Sequence, residues 1–235
     1  MNAEALELSS LRSGYGEAMV LRDVDLTIKA GEIFVLLGKN GMGKTTLLKT
    51  VMGFLPLQGG RVSLFGKDIT GQAPHRIARS AIAYTPQEQA LFQDLSVENN
   101  LRLALRDDQL FQPGLERVGG HFPFIPQRLS QRAGTLSGGE QKMLLVARAL
   151  MSRPRLMLVD EITEGLQPSV IERLAAVFKA EREQSNTTLL LIEQHVSFAL
   201  AVADRYAVLK LGEIVDRGAV SDAGAARSIA NHLSV

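Results

Sequence analysis

Cysteine is absent from this chain. That one absence excludes disulfides, thiolate metal sites and cysteine nucleophiles together. The four histidines, His75, His121, His195 and His232, are scattered and show no metal-ligand spacing. No apolar run approaches the roughly 18 residues that a membrane span needs. Charge of one sign is not in excess either: the net charge is +1, so nothing marks the chain as a nucleic-acid binder. Repeats, low-complexity tracts and coiled-coil heptads are missing. Near the start stand Glu4 and Glu7 rather than an apolar signal segment, so no secretory signal is expected. These exclusions point to a protein of the cytosol or of a membrane's cytosolic face. What remains is 235 residues, 46% apolar and 22% charged. That is the composition of one globular domain with room for a substantial core.

The most informative stretch runs from Gly38 to Thr46: Gly38-Lys39-Asn40-Gly41-Met42-Gly43-Lys44-Thr45-Thr46. It fits the phosphate-binding pattern G-x-x-x-x-G-K-[ST]. Glycines let the backbone turn sharply and bring its N–H groups to phosphate oxygens. Lys44 supplies a point charge for the β- and γ-phosphates, and the Thr45 hydroxyl can ligate Mg²⁺. The apolar run 33–37 precedes the loop as a buried strand, and a helix from Lys44 to about Met52 follows it, aiming its positive end at the phosphates. The chain is therefore expected to bind a nucleoside triphosphate with Mg²⁺.

Around this loop the pattern is α/β. Loose alternation over 6–11 and 20–28 predicts half-exposed strands, with a turn at 13–16. Gln58-Gly59-Gly60 reads as the start of another hairpin, with a strand over 61–65. A short apolar strand falls at 82–84. From Thr85 to about Gly134 strand signals vanish, and breaks are expected at Pro113-Gly114, Gly119-Gly120, Pro123 and Pro126. We read this as a helical insertion. Leu144, Ala147, Leu150 and Met151 share one face of a helix that opens at Ser137 and closes at Pro154. Buried strands follow at 156–159 and 187–192, separated by a helix over about 170–184. A helix over 196–203, a hairpin at 205–217 turning at Gly212, and a short helix over 223–233 complete the chain.

Two further constellations carry chemistry. Asp160-Glu161 ends the strand 156–159, and in open parallel sheets ligands bind outside the carboxyl ends of the strands. There Asp160 would hold Mg²⁺ and Glu161 would polarise the attacking water. The other is Leu136-Ser137-Gly138-Gly139-Glu140-Gln141, roughly ninety residues after the phosphate loop. A serine N-cap would account for Ser137 alone, but not for the order of all these motifs.

In that order the motifs resemble the ATP-binding cassette (ABC) superfamily, and the likeness spans essentially the whole chain. It implies a P-loop NTPase with a RecA-like parallel core, an N-terminal antiparallel β subdomain and a helical insertion. Residues 1–86 and 152–235 would form the nucleotide-binding core with its β subdomain, and 87–151 the helical subdomain. It implies that Ser137, Gly138, Gly139, Glu140 and Gln141 meet the ATP held by a second cassette in a head-to-tail dimer. Tyr15 resembles the aromatic that stacks on adenine. Gln87 resembles the glutamine that reaches Mg²⁺ and the water, and His195 the histidine that contacts the γ-phosphate. Two positions depart from the common pattern: Ile162 stands where proline is usual, and Gln167 where many cassettes carry an aspartate.

Gly165-Leu166-Gln167-Pro168, the run 131–141 and Asn40-Gly41-Met42-Gly43-Lys44 resemble one subgroup, the smaller ATPase of importers for branched-chain amino acids or urea and amides. That resemblance implies an ATP-hydrolysing subunit with Mg²⁺ as cofactor, on the cytoplasmic face of the inner membrane. Its partners would be two transmembrane permease subunits, a second ATPase (related chain or self) and, indirectly, an extracytoplasmic solute-binding protein. The rival reading is a soluble single-cassette ATPase serving a protein-assembly system.

Overall fold

The computed structural model describes residues 4–87 and 91–233; residues 88–90, inside the segment read as helical, and both chain ends lie outside the described residues. Strand β1 (Glu4–Tyr15) turns into β2 (Ala18–Lys29), and β3 (Ile33–Leu37) leads through the phosphate loop to α1 (Lys44–Val51). Then come β4 (Leu57–Leu64), β5 (Lys67–Asp68), α2 (Pro74–Ile77) and β6 (Ile82–Thr85). The helical stretch holds α3 (Val97–Arg102), α4 (Phe111–His121), α5 (Phe124–Gln127) and α6 (Gly138–Met151). The chain finishes with β7 (Leu156–Asp160), α7 (Pro168–Ser185), β8 (Thr188–Glu193), α8 (Val196–Val202), β9 (Arg205–Lys210), β10 (Glu213–Ala219) and α9 (Ala225–Leu233).

These strands form two sheets. One is antiparallel, in the order β2-β1-β4-β5; the other runs β10-β9-β3-β8-β7-β6, parallel except for its β10 edge. Period-two alternation decides what each face of the larger sheet meets. Val35, Met157, Val159, Leu189, Leu191 and Val208 face a core built with α3 to α9. Phe34, Leu36, Leu158, Leu190, Ile192 and Leu209 face a second core built with α1 and the antiparallel sheet. Central strands buried on both sides must be apolar throughout, which is why β3 and β8 read as unbroken runs.

Three readings of the sequence need correction. The strand β1 extends past the expected 6–11 to Tyr15, so pairing continues through Tyr15↔Ala18 where a four-residue turn was expected. Gln58, Gly59 and Gly60 do not open a hairpin: they lie within β4, against Ser9 to Ser13 of β1, with register shifts that absorb the extra residues. Pro113-Gly114 and Gly119-Gly120 do not break the chain, since all four sit inside α4. Pro113 occupies the first turn, where an N–H would have no intrahelical partner. Gly114 gives close packing: a Cβ there would come within 2.8–3.0 Å of the Met151 thioether on α6, which would have to move aside.

Leu190 is fully buried at the centre of the parallel sheet. Leu190→Ala is expected to cost about 2–5 kcal/mol of folding stability, measured as a lowered midpoint in urea denaturation at unchanged slope.

Candidate nucleotide-binding site

The phosphate loop keeps its shape through glycine. Gly43 has φ of 103°, a left-handed conformation, and a Cβ on Gly38 would lie 2.6 Å from the Leu209 carbonyl oxygen. Helix α1 starts at Gly43 with no side-chain cap and no acidic residue in its first turn. Its first N–H groups therefore suit an anion. The loop is braced from behind through main chain: Gly212 N–H donates to the Met42 carbonyl (3.1 Å), and the Gly212 carbonyl accepts from Arg22 N–H (2.9 Å).

Strand ends supply the acidic groups. Thr45 Oγ1 donates to Asp160 Oδ1 (3.2 Å), and Tyr84 OH donates to Asp160 Oδ2 (3.4 Å). Burial pushes the Asp160 carboxyl up to about 6, against the Thr45 bond and Lys44 that favour its charge. Lys44 Nζ donates to the Lys39 carbonyl (2.9 Å) and pairs with Glu161 Oε1 at 3.0 Å, with side-chain exposures of only 2% and 5%. Glu161 itself sits at φ 46°, a strained setting for a residue with a side chain. Gln87 Nε2 donates to Glu161 Oε2 (3.0 Å) and to Glu164 Oε2 (2.8 Å). Thr45, Asp160, Lys44, Glu161 and Gln87 are thus drawn together, as the sequence predicts. A hydroxyl and a carboxylate oxygen 3.2 Å apart form the kind of hard-oxygen donor set that Mg²⁺ takes.

His195 joins through residues that the sequence did not single out. Thr163 Oγ1 donates to Glu193 Oε2 (2.7 Å) and lies 3.2 Å from His195 Nδ1. The hydroxyl has one proton, so with Glu193 ionised it goes to Glu193, and His195 donates from Nδ1 to Oγ1, which leaves Nε2 for a further partner. Gln194 Nε2 donates to Asn40 Oδ1 (2.6 Å), tying the end of β8 to the loop. Glu193 ends an apolar strand as Asp160 does, the same signal by which it could have been found; Glu164 and Tyr84 carry none.

Tyr15 ends β1 and is half exposed. The segment 137–141 opens α6 with a capping box: Ser137 Oγ accepts from Glu140 N–H (3.3 Å), and Glu140 Oε2 accepts from Ser137 N–H (3.0 Å). That backbone bond holds the Glu140 carboxyl below its ordinary value. Gln141 Nε2 donates to the Leu136 carbonyl (3.0 Å) and Lys142 Nζ to the Gln87 carbonyl (3.2 Å), which links α6 to the segment carrying Gln87.

A family model described as "ABC transporter" matches residues 21–164. The chain belongs to the ABC transporter family. This cassette is 39% identical over 223 residues, 94% of each chain, to the high-affinity branched-chain amino acid transport ATP-binding protein BraG of Pseudomonas aeruginosa. It is 35% identical, over 92% of its own length and 93% of the relative's, to a probable branched-chain amino acid transport ATP-binding protein LivF of Archaeoglobus fulgidus. Among solved structures, the ADP conformation of MJ1267, an ATP-binding cassette of an ABC transporter, superposes with TM-score 0.83 at 25% identity, over 98% and 95% of the two chains. The cassette is accordingly an ATP-binding ATPase. No helix among the described residues is long and apolar enough to cross a membrane.

Two outcomes follow from this geometry. Lys44→Ala is expected to weaken ATP binding roughly tenfold to a hundredfold, the worth of bonds to a charged group, as read by titration with a fluorescent ATP analogue. Glu193 is pushed by burial up to about 7 from an ordinary 4.5, opposed by its bonds from Thr163. The folded state then holds this proton more tightly than the unfolded chain does. Between about pH 4.5 and 7 that contribution falls as pH rises. Glu193→Gln is expected to flatten that part of the stability profile, measured by denaturation at stepped pH.

Proposed function

We propose that the cassette powers an importer of branched-chain amino acids, or of a similar small polar solute such as urea or an amide. The observation that carries this reading is the identity of 39% and 35% to two branched-chain amino acid transport ATP-binding proteins over more than nine-tenths of each chain. The cassette would lie peripherally on the cytoplasmic face of the inner membrane. It would pair with a second cassette, its own copy or a related chain, beneath two permease subunits, served indirectly by an extracytoplasmic solute-binding protein. The segment 87–151 acts as the helical subdomain against a core of 1–86 and 152–235.

The chemistry assigned to this chain begins at Lys44. Phosphate oxygens of ATP compete with Glu161 for the ammonium group, and loss of that ion pair turns Oε1 of Glu161 into an acceptor for a water proton. Mg²⁺, carried in with ATP, neutralises charge on the phosphate oxygens. Thr45, Asp160 and Gln87 would hold it. Gln87 orients Glu161 through its amide, and it lies on the segment that Lys142 ties to α6. His195 contacts the γ-phosphate through Nε2, Tyr15 stacks on adenine, and residues 137–141 meet the ATP of the partner cassette. Because the γ-phosphate gains further contacts, to residues 137–141 of the partner cassette, when the pair of cassettes is closed, its binding and loss bias the permeases between two states.

Glu161→Gln is expected to bind ATP normally and lose on the order of 10²–10⁴ in turnover, the usual size of a general-base contribution. Unchanged hydrolysis would remove Glu161 from that role. For transport itself, the chain would be purified from native membranes in mild detergent. Two multi-span membrane proteins and a second cassette are expected with it. Recovery of soluble partners only would replace import with service to a protein-assembly system.

A further inference from the structure

The ends of the parallel strands opposite the nucleotide site hold a second constellation. A cavity of about 590 Å³ opens between α4, the segment entering β7 and the turn between α7 and β8. Arg117 lines it from α4, and Arg153 and Arg155 from the segment entering β7. Ser185, Asn186 and Thr187 add hydroxyl and amide groups, and no carboxylate belongs to its lining among the described residues. The nearby counter-charge is Glu181, but its Oε2 stands 3.9 Å from Arg117 Nη1, and its other oxygen is engaged by His121 Nε2 at 3.0 Å. Nε and Nη2 of Arg117 and Oε2 of Glu181 are all buried with no hydrogen-bond partner, so these atoms lie inside the protein and not on the cavity wall. Burial holds Arg117 below the ordinary arginine value; Glu181 opposes this, and Arg153 adds to it by repulsion. Arg155 Cζ stands over the Phe65 ring, 3.7 Å from its centre, a cation–π contact that steadies the guanidinium group beside the cavity.

Three guanidinium groups lining a space of small-molecule size, with no carboxylate in its lining among the described residues, are the complement of a multiply charged oxyanion. We propose that this cavity binds a phosphate-bearing anion, bridging Arg117 of α4 to Arg153 and Arg155 at the entry to β7. The site is separate from the nucleotide site. Arg155 and Thr187 stand where β7 and β8 begin, while Asp160 and Glu193 stand where those strands end, about 17–20 Å further along at the usual rise per residue. The phosphate could come from a soluble phosphorylated molecule or from a phospholipid headgroup, which present the same oxygens.

The test uses the full chain with its nucleotide site saturated by a non-hydrolysable ATP analogue, so that the phosphate loop is blocked. Pyrophosphate is titrated by calorimetry, and co-sedimentation is measured with vesicles of phosphatidylglycerol and, as control, phosphatidylcholine. Saturable pyrophosphate binding that Arg153→Gln weakens roughly tenfold to a hundredfold, with ATP turnover unchanged, supports the site and a soluble ligand. Selective sedimentation with phosphatidylglycerol, lost in Arg153→Gln, supports it and identifies a lipid headgroup. Arg117→Gln would strip Glu181 of its cation and threaten the fold, so Arg153→Gln and Arg155→Gln carry the comparison. Binding of neither probe, or binding that both variants leave undiminished, overturns the proposal.

Discussion

The buried pairing of Lys44 with Glu161 is the contact on which the rest of the site depends. It joins the loop after β3 to the end of β7, at 3.0 Å and almost fully out of water. Such a pair contributes little net stability, because desolvation offsets attraction, but separating it leaves a costly lone charge. An anion able to replace Glu161 at the ammonium is therefore favoured where bulk water is not. The neighbours serve the same pair. Gln87 holds the second carboxylate oxygen, the left-handed backbone at Glu161 aims the side chain, and Thr45 with Asp160 stands beside it.

The architecture explains why these groups meet. Parallel strands carry their chemistry at one end, and β3, β7 and β8 bring Leu37, Asp160 and Glu193 into adjacent positions through the ladders Leu37↔Glu193 and Asp160↔Ile192. The apolar faces beneath are divided between two cores, so the same strands anchor both the helices and the antiparallel sheet. The opposite strand ends are free of that chemistry, and there the three arginines gather.

Legibility in the sequence followed how local each determinant is. The phosphate loop, the acidic strand end and the run 136–141 are short-range patterns whose residue types state their job, and the structure pairs Lys44 with Glu161, Thr45 with Asp160 and Gln87 with Glu161. Strands buried on both faces were legible as apolar runs. What the sequence concealed is long-range. The glycines of α4 look like helix breakers until Met151 of α6 is seen lying against Gly114. The link from Glu193 through Thr163 to His195 spans residues as much as thirty-two apart, and no spacing rule anticipates it. Arg117 lies far in sequence from Arg153, and only the packing of α4 brings them together.

Gly212 braces the phosphate loop with its own N–H and accepts from Arg22 with its own carbonyl, both through backbone atoms. Such a latch is blind to side-chain identity at Arg22, while at Met42 the thioether adds to it by accepting from Leu211 N–H (3.3 Å). It discriminates sharply at one point: a Cβ on Gly212 would come within 1.9 Å of the Val20 carbonyl oxygen. Mutational drift can thus rewrite the flanks of the β9–β10 turn without disturbing the nucleotide loop, while a single methyl group at its tip would push the antiparallel sheet and the loop apart. The tolerance of that region to change is set by one position rather than by the segment's average character.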